Sequence, residues 1–149
     1  MTTKLYPPYI EGTLPAFYIT KDSSNNILSA SITIPFEMNA SVNSVLISGF
    51  SLMLKTTSSG TYIFSSLRSN SFDLDKNTVT FIVDANEAKA LNEGQFYKAQ
   101  IAYIDLTGNV GYYSTVGIIK CVSLPTISIV NLEADSTNFF NNEFIGLYD

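Results

Sequence analysis

Apolar and small polar residues alternate at period two in run after run of this chain. The pattern is plain in Leu28-Ser-Ala-Ser-Ile32-Thr-Ile34-Pro-Phe36-Glu-Met38, in Ser48 to Lys55 with Phe50, Leu52 and Leu54 on one side, and in Thr78-Val-Thr-Phe-Ile-Val83. Successive side chains of a strand point to opposite faces, so this period specifies half-buried strands and not amphipathic helices, whose apolar positions recur every three or four residues. Tyr62-Ile-Phe64 reads as a further short strand. Phe96 to Ile104 and Val110 to Val122 are the longest β-like runs, and the loop Asp105-Leu-Thr-Gly-Asn109 between them has hairpin length and turn chemistry, so the two are expected to pair antiparallel. The opening stretch to Ile19 carries Pro7, Pro8, Pro15 and Gly12 among apolar residues, which suits an irregular or edge strand. One helical signal interrupts the series. Asp84-Ala-Asn-Glu87 has capping-box spacing and Ala88-Lys-Ala-Leu91 extends it, until Asn92 and Gly94 stop it after about two turns.

Seven strand-like runs with one connector helix make the chain all-β and a two-sheet sandwich its expected architecture, because the crossover helices of a parallel α/β fold are missing. With 149 residues and 46% hydrophobic content, it is long and apolar enough for one domain with a sizeable core. Nineteen Phe and Tyr residues supply the bulk that the absent Trp cannot.

Composition narrows the chemistry further. There is no His, and Cys121 stands alone, which removes Ser-His-Asp triads, Cys-His dyads, disulfide frameworks and thiolate or imidazole metal cages. Asp73, Asp75 and Asn77 could offer oxygen ligands to Ca²⁺, but the glycine and closing Glu of an EF-hand loop are missing, and a solvated turn explains them. Glu87 and Glu93 flank the connector, where capping accounts for Glu87 without a glycosidase pair. Cys121 lies in an apolar run and reads as a small buried hydrophobe. No enzyme activity, cofactor or metal is expected. The net charge of −5, with basic residues scattered along the chain, argues against nucleic acid as a partner. No apolar stretch reaches membrane-spanning length, and the start lacks a basic segment followed by an apolar one, so neither a membrane nor the general export route is expected. Ser, Thr and Asn number 45 against 21 charged residues, a neutral polar surface of the kind found on β-rich extracellular or particle-borne proteins.

Leu91-Asn-Glu-Gly94-Gln-Phe-Tyr97, leading into the alternating Tyr97-Lys-Ala-Gln-Ile-Ala-Tyr103, resembles the corner between strands E and F of fibronectin type III domains. There a Leu plugs the end of the sandwich, a small residue turns the chain, and a Tyr hydroxyl returns to an upstream backbone group. The resemblance implies a fibronectin type III or immunoglobulin-like antiparallel sandwich with Leu91, Gly94 and Tyr97 as its structural corner. The Trp usual in strand B is absent, so Ile32, Ile34 or Phe36 is expected in its place. A second resemblance, carried by the opening Tyr6-Pro-Pro-Tyr-Ile-Glu-Gly-Thr-Leu-Pro-Ala-Phe-Tyr18, by Tyr97 to Asp105 and by Tyr112 to Lys120, is to the N-terminal regions of tail or fibre-type structural proteins of bacteriophages. It implies a virion component assembled in the host cytoplasm, oligomeric within its assembly and bound to other virion proteins.

On that basis residues 1–124 form the sandwich. Residues 125–149, where Pro125-Thr-Ile127 with Leu132 and Ala134 echoes Pro8-Tyr-Ile10 with Leu14 and Ala16, begin a second similar domain or serve as an assembly arm. Candidate interface residues are Tyr6, Tyr9 and Phe17 in the proline-rich opening, with Tyr112 and Tyr113, which strand alternation would send to opposite faces. The alternative function is a carbohydrate-binding or adhesive module of a bacterial surface protein, which would present an aromatic platform to a host-surface glycan.

Overall fold

Each alternating run becomes a strand whose apolar side faces inward. The structure, a computed structural model, describes residues 4–124; the expectations for residues 125–149 lie outside them. Among the described residues the strands are β1 (Phe17–Lys21), β2 (Ile27–Pro35), β3 (Ile47–Thr56), β4 (Tyr62–Arg68), β5 (Ser71–Asp73), β6 (Thr78–Asp84), β7 (Phe96–Asp105) and β8 (Gly117–Ser123), with one α-helix, α1 (Ala85–Ala88), and one 3-10 turn (Ser44–Leu46). The spatial order is β4-β3-β7-β8-β1-β2-β6-β5. Cut between β8 and β1, this order gives two four-stranded layers arranged as in immunoglobulin-like sandwiches, β1-β2-β6-β5 against β4-β3-β7-β8. The protein is an all-β, immunoglobulin-like sandwich.

Every pair of neighbouring strands is antiparallel except one. β8 opens antiparallel to β7, with Ala99 facing Gly117, and ends parallel to β1, with Phe17 facing Cys121. The proline-rich opening explains that exception. Pro7, Pro8 and Pro15 lack the N–H that a continuous ladder requires, so the segment touches the layers at single points. Tyr9 bridges Glu37 and Thr13 bridges Ile118 before β1 settles between β8 and β2.

The core lies between the layers. Phe17 and Ile19 of β1, Ala30, Ile32 and Ile34 of β2, and Val79, Phe81 and Val83 of β6 face Phe50, Leu52 and Leu54 of β3, with Tyr97, Ala99, Ile101 and Tyr103 of β7. Fully burying a side chain of this size contributes roughly 1.5–3 kcal/mol. The core holds an aromatic cluster and no Trp. Phe50 packs against Phe36, Tyr103 and Phe72 with ring centroids 4.8, 5.3 and 5.5 Å apart. Phe50 is at the centre of this cluster. The Tyr103 hydroxyl, inside this cluster, accepts a hydrogen bond from the Asn39 N–H at 3.1 Å, which satisfies the polar end of a buried ring.

Three stretches differ from the sequence expectation. β4 extends to Arg68, past the run ending at Phe64, and β5 follows it as a three-residue edge; neither has enough apolar residues to show a period. The helix is a single capped turn. Asp84 accepts the Glu87 N–H at 2.8 Å and Glu87 reaches back to the Asp84 N–H at 3.3 Å, and the chain then leaves in turns before Gly94. The last strand begins at Gly117 and not at Val110, because Val110 to Gly117 runs seven steps along β7 while Ile104 to Ala99 runs five. The two surplus residues form a bulge, which bends a strand and redirects its side chains.

Cys121 has none of its surface exposed, and burial, reinforced by the negative charge of Glu93, pushes its thiol up to about 11. The native protein should therefore leave a thiol reagent unconsumed at pH 8 and consume one equivalent once unfolded; rapid labelling of the folded state would contradict this packing.

Candidate interaction surface

Tyr97 opens β7 with its ring in the core, 2% exposed, and its hydroxyl accepts the Asn92 N–H at 2.8 Å. Leu91 is buried beside it. Gly94 takes a φ of +86°, a conformation that favours glycine, and its N–H donates to the Cys121 carbonyl at 2.7 Å. This is the geometry of a tyrosine corner: the ring closes the end of the sandwich while its hydroxyl satisfies a turn N–H that would otherwise be orphaned. Lys21 reaches across to Glu93 at 3.2 Å, so the end of β1 is also tied to the corner. Leu91 and Tyr97 act within the fold and present little to a partner, while Gly94 is exposed at the turn.

The other candidates divide. Phe17 is a correction to the expected interface: it is wholly buried, because β1 alternates from Phe17 inward through Tyr18 outward to Ile19 inward. Tyr6 and Tyr112, by contrast, are 60% and 52% exposed and meet on the surface, with ring centroids 6.4 Å apart and planes 22° from parallel. The Lys4 ammonium stands 5.1 Å from the Tyr112 ring centre. The backbone fixes this pair. The Tyr112 N–H donates to the Leu5 carbonyl at 2.9 Å, and a side chain at Gly111 would place its Cβ 2.6 Å from that same oxygen. Glycine is required at 111 so that the opening segment can lie this close.

Tyr113 turns the other way. Its hydroxyl shares a hydrogen bond of 2.7 Å with the buried Ser51 hydroxyl, which in turn meets Ser66 at 2.8 Å, so the ring is held against the outer face of β3 and β4. Neither tyrosine enters the core as strand alternation would require, because both sit in the bulge before β8. Tyr9 is 53% exposed and borders an open cleft of about 490 Å³ lined also by Glu11, Glu37 and Lys76. The Asp73 carboxylate, a cation-ligand candidate by sequence, accepts the N–H groups of Asp75 and Lys76 and so closes its own turn.

Another feature of this surface is invisible to a residue-by-residue scan. The basic residues are scattered in sequence, yet register brings Lys55 directly opposite Lys98 and Lys120 opposite Phe96 on the outer side of β3, β7 and β8. Tyr62 and Phe96, both more than half exposed, lie beside them, with the Lys55 and Lys120 ammonium groups 5.3 and 5.6 Å from the respective ring centres. The period-two alternation of Lys98 with core-facing Tyr97 and Ala99 was the available signal; the pairing partner was not.

No protein-family model matches the chain, and no curated protein matches it.

Two substitutions test this geometry. Tyr97→Phe keeps the packing and leaves the Asn92 N–H without its acceptor, so denaturant unfolding should show a loss of about 1 kcal/mol; an unchanged midpoint would show the hydroxyl to be idle. Gly111→Ala forces the opening segment away, which should expose Leu5 and speed proteolysis before residue 10 while the core's melting temperature moves little.

Proposed function

We propose that this chain is a non-enzymatic structural component of a bacteriophage virion, located in a tail, fibre, collar or capsid-attached position, whose immunoglobulin-like sandwich acts as a docking module. The observation that carries the proposal is the exposure of the Tyr6–Tyr112 pair and of Tyr9. All three rings stay more than half exposed, Tyr6 and Tyr9 on the opening segment that backbone hydrogen bonds hold to the sandwich, and Tyr112 on the stretch before β8 whose N–H holds Leu5. Exposed aromatics on a fixed backbone favour an interface: burying each contributes on the order of 2 kcal/mol, and a pinned chain loses little entropy on binding. Other virion proteins, and further copies of this chain within an assembly, are the partners this role requires. Resemblance of the opening segment and of β7 to phage tail and fibre proteins supports the same role.

The second reading, a carbohydrate-binding or adhesive module, is favoured by one observation. Tyr6 and Tyr112 are nearly parallel and exposed, an arrangement on which the flat face of a sugar ring could stack.

Expression of the tagged protein during infection, followed by purification of particles, separates the two. Wild-type protein should travel with the particles and Tyr6→Ala/Tyr112→Ala should be depleted from them at unchanged melting temperature. A monomer that never associates with particles, yet binds or cleaves a glycan, would refute the structural role.

A further inference from the structure

Like charges placed directly opposite on one face of a sheet repel and destabilise the pair, so the Lys55–Lys98 juxtaposition calls for compensation. None is supplied by the sandwich: among the described residues no carboxylate forms an ion pair with Lys55, Lys98 or Lys120. Two of the three ammonium groups lean toward the exposed Tyr62 and Phe96 rings, a weak substitute at an exposed site. The result is a basic and aromatic corner at the end of the layer where β7 begins.

The matching charge is in the same chain. All 8 basic residues fall within residues 4–124, with 9 of the acidic ones, so this part is nearly neutral. Residues 125–149 carry Glu133, Asp135, Glu143 and Asp149 and no Lys or Arg, which is where most of the net −5 resides. The last described residue, Leu124, is also close in sequence to the corner. Lys120 lies four residues before Leu124, whose N–H bonds to the Ile19 carbonyl just past the strand end. From Leu124 to Glu133 the chain can span up to about 30 Å, more than enough to cross from β8 to β3, neighbouring strands being about 4.8 Å apart.

We propose that the acidic stretch within residues 125–149 docks on the Lys55, Lys98 and Lys120 corner of its own chain and so clamps the C-terminal residues against the sandwich. The tether favours the chain's own segment over that of a second copy, since a short linker sets an effective concentration of order millimolar. The clamp concerns the chain by itself and holds whatever particle or surface the module serves. It would fix the direction in which the chain leaves the sandwich after Leu124, and it would be loosened by salt.

Lysine acetylation of the intact chain, read by mass spectrometry at low ionic strength, tests this. Glu133→Gln/Asp135→Gln falls outside the described residues, and an unchanged melting curve checks that the sandwich keeps its fold. The double substitution should raise the acetylation rate of Lys55 and Lys98 about threefold, as expected for the loss of a few weak surface ion pairs. Lys4 and Lys89 should be unchanged, and 1 M salt should have the same effect on the wild type. Lys55→Glu/Lys98→Glu combined with Glu133→Lys/Asp135→Lys should restore the hydrogen-exchange protection of 125–149 that either pair alone removes. Equal lysine reactivity in wild type and the Gln variant would overturn the proposal. Protection that grows with protein concentration would overturn it in favour of a second copy. Lysines that become shielded only when polyglutamate is added would assign the corner to an external acidic partner and overturn it as well. None of these results bears on whether the protein travels with particles.

Discussion

The structure depends on the double pairing of β8. A strand of seven residues closes one layer through β7 and joins the other through β1, so the edges that two separate sheets would leave at this side are removed. That arrangement requires the opening segment to lie against the start of β8, and Gly117 makes room for it: a Cβ there would stand 2.7 Å from the Leu14 side chain and 3.1 Å from the Glu11 carbonyl. Leu14 is buried at this contact, and the Ile118 carbonyl and N–H exchange hydrogen bonds with Leu14 and Gly12. The position of the exposed tyrosines is a consequence, since Tyr6 and Tyr9 ride on the segment that β8 holds and Tyr112 sits on the bulge that delays its start.

The two ends of the sandwich are closed by different means. At the corner, Tyr97 fills space with its ring and spends its hydroxyl on the Asn92 N–H, so one side chain serves both packing and backbone satisfaction. At the opposite end of β7 the Asp105 carboxylate organises the turn. It accepts the Thr107 hydroxyl at 2.7 Å and the Thr107 and Asn109 N–H groups at 2.9 Å, and these bonds, the Thr107 hydroxyl first, hold its carboxyl below the ordinary value. Gly108 at a φ of +90° completes that loop. Both ends use short polar contacts within a few residues, which is why so few charged residues suffice to build the surface. The layers then differ in what they show to solvent. The β1-β2-β6 face presents Tyr18, Thr20, Ser29, Ser31, Thr33, Thr80 and Ile82, without a charge at its middle, while β3, β7 and β8 gather three lysines.

Much of the fold was legible as pattern because alternation reports one thing directly, namely which side of a strand is apolar. β2, β3, β6 and β7 each bury two or more large apolar side chains on one side, and each was visible. β5 and the far half of β4 were not, since edge strands bury too little to impose a period. The capping box at Asp84 and the corner at Tyr97 were legible for a different reason: their contacts lie within five residues, inside the reach of a sequence motif. Phe17 was placed less well, and so was the alternation expected to turn one of Tyr112 and Tyr113 inward. These aromatic residues lie near prolines or glycines, and composition cannot say which one the strand register turns inward.

The sequence by itself determined the all-β class, the inward sets of the long strands, the capped turn and the corner, because those depend on period and on short-range hydrogen bonds. Tertiary structure alone decided that β8 runs parallel to β1, that Phe50 centres the aromatic cluster, that Tyr6 meets Tyr112 across more than a hundred residues, and that Lys55 faces Lys98. Each of these is a matter of register between segments far apart in the chain, and a shift of one residue would turn every side chain of a strand to its other face without changing the local sequence that encodes it.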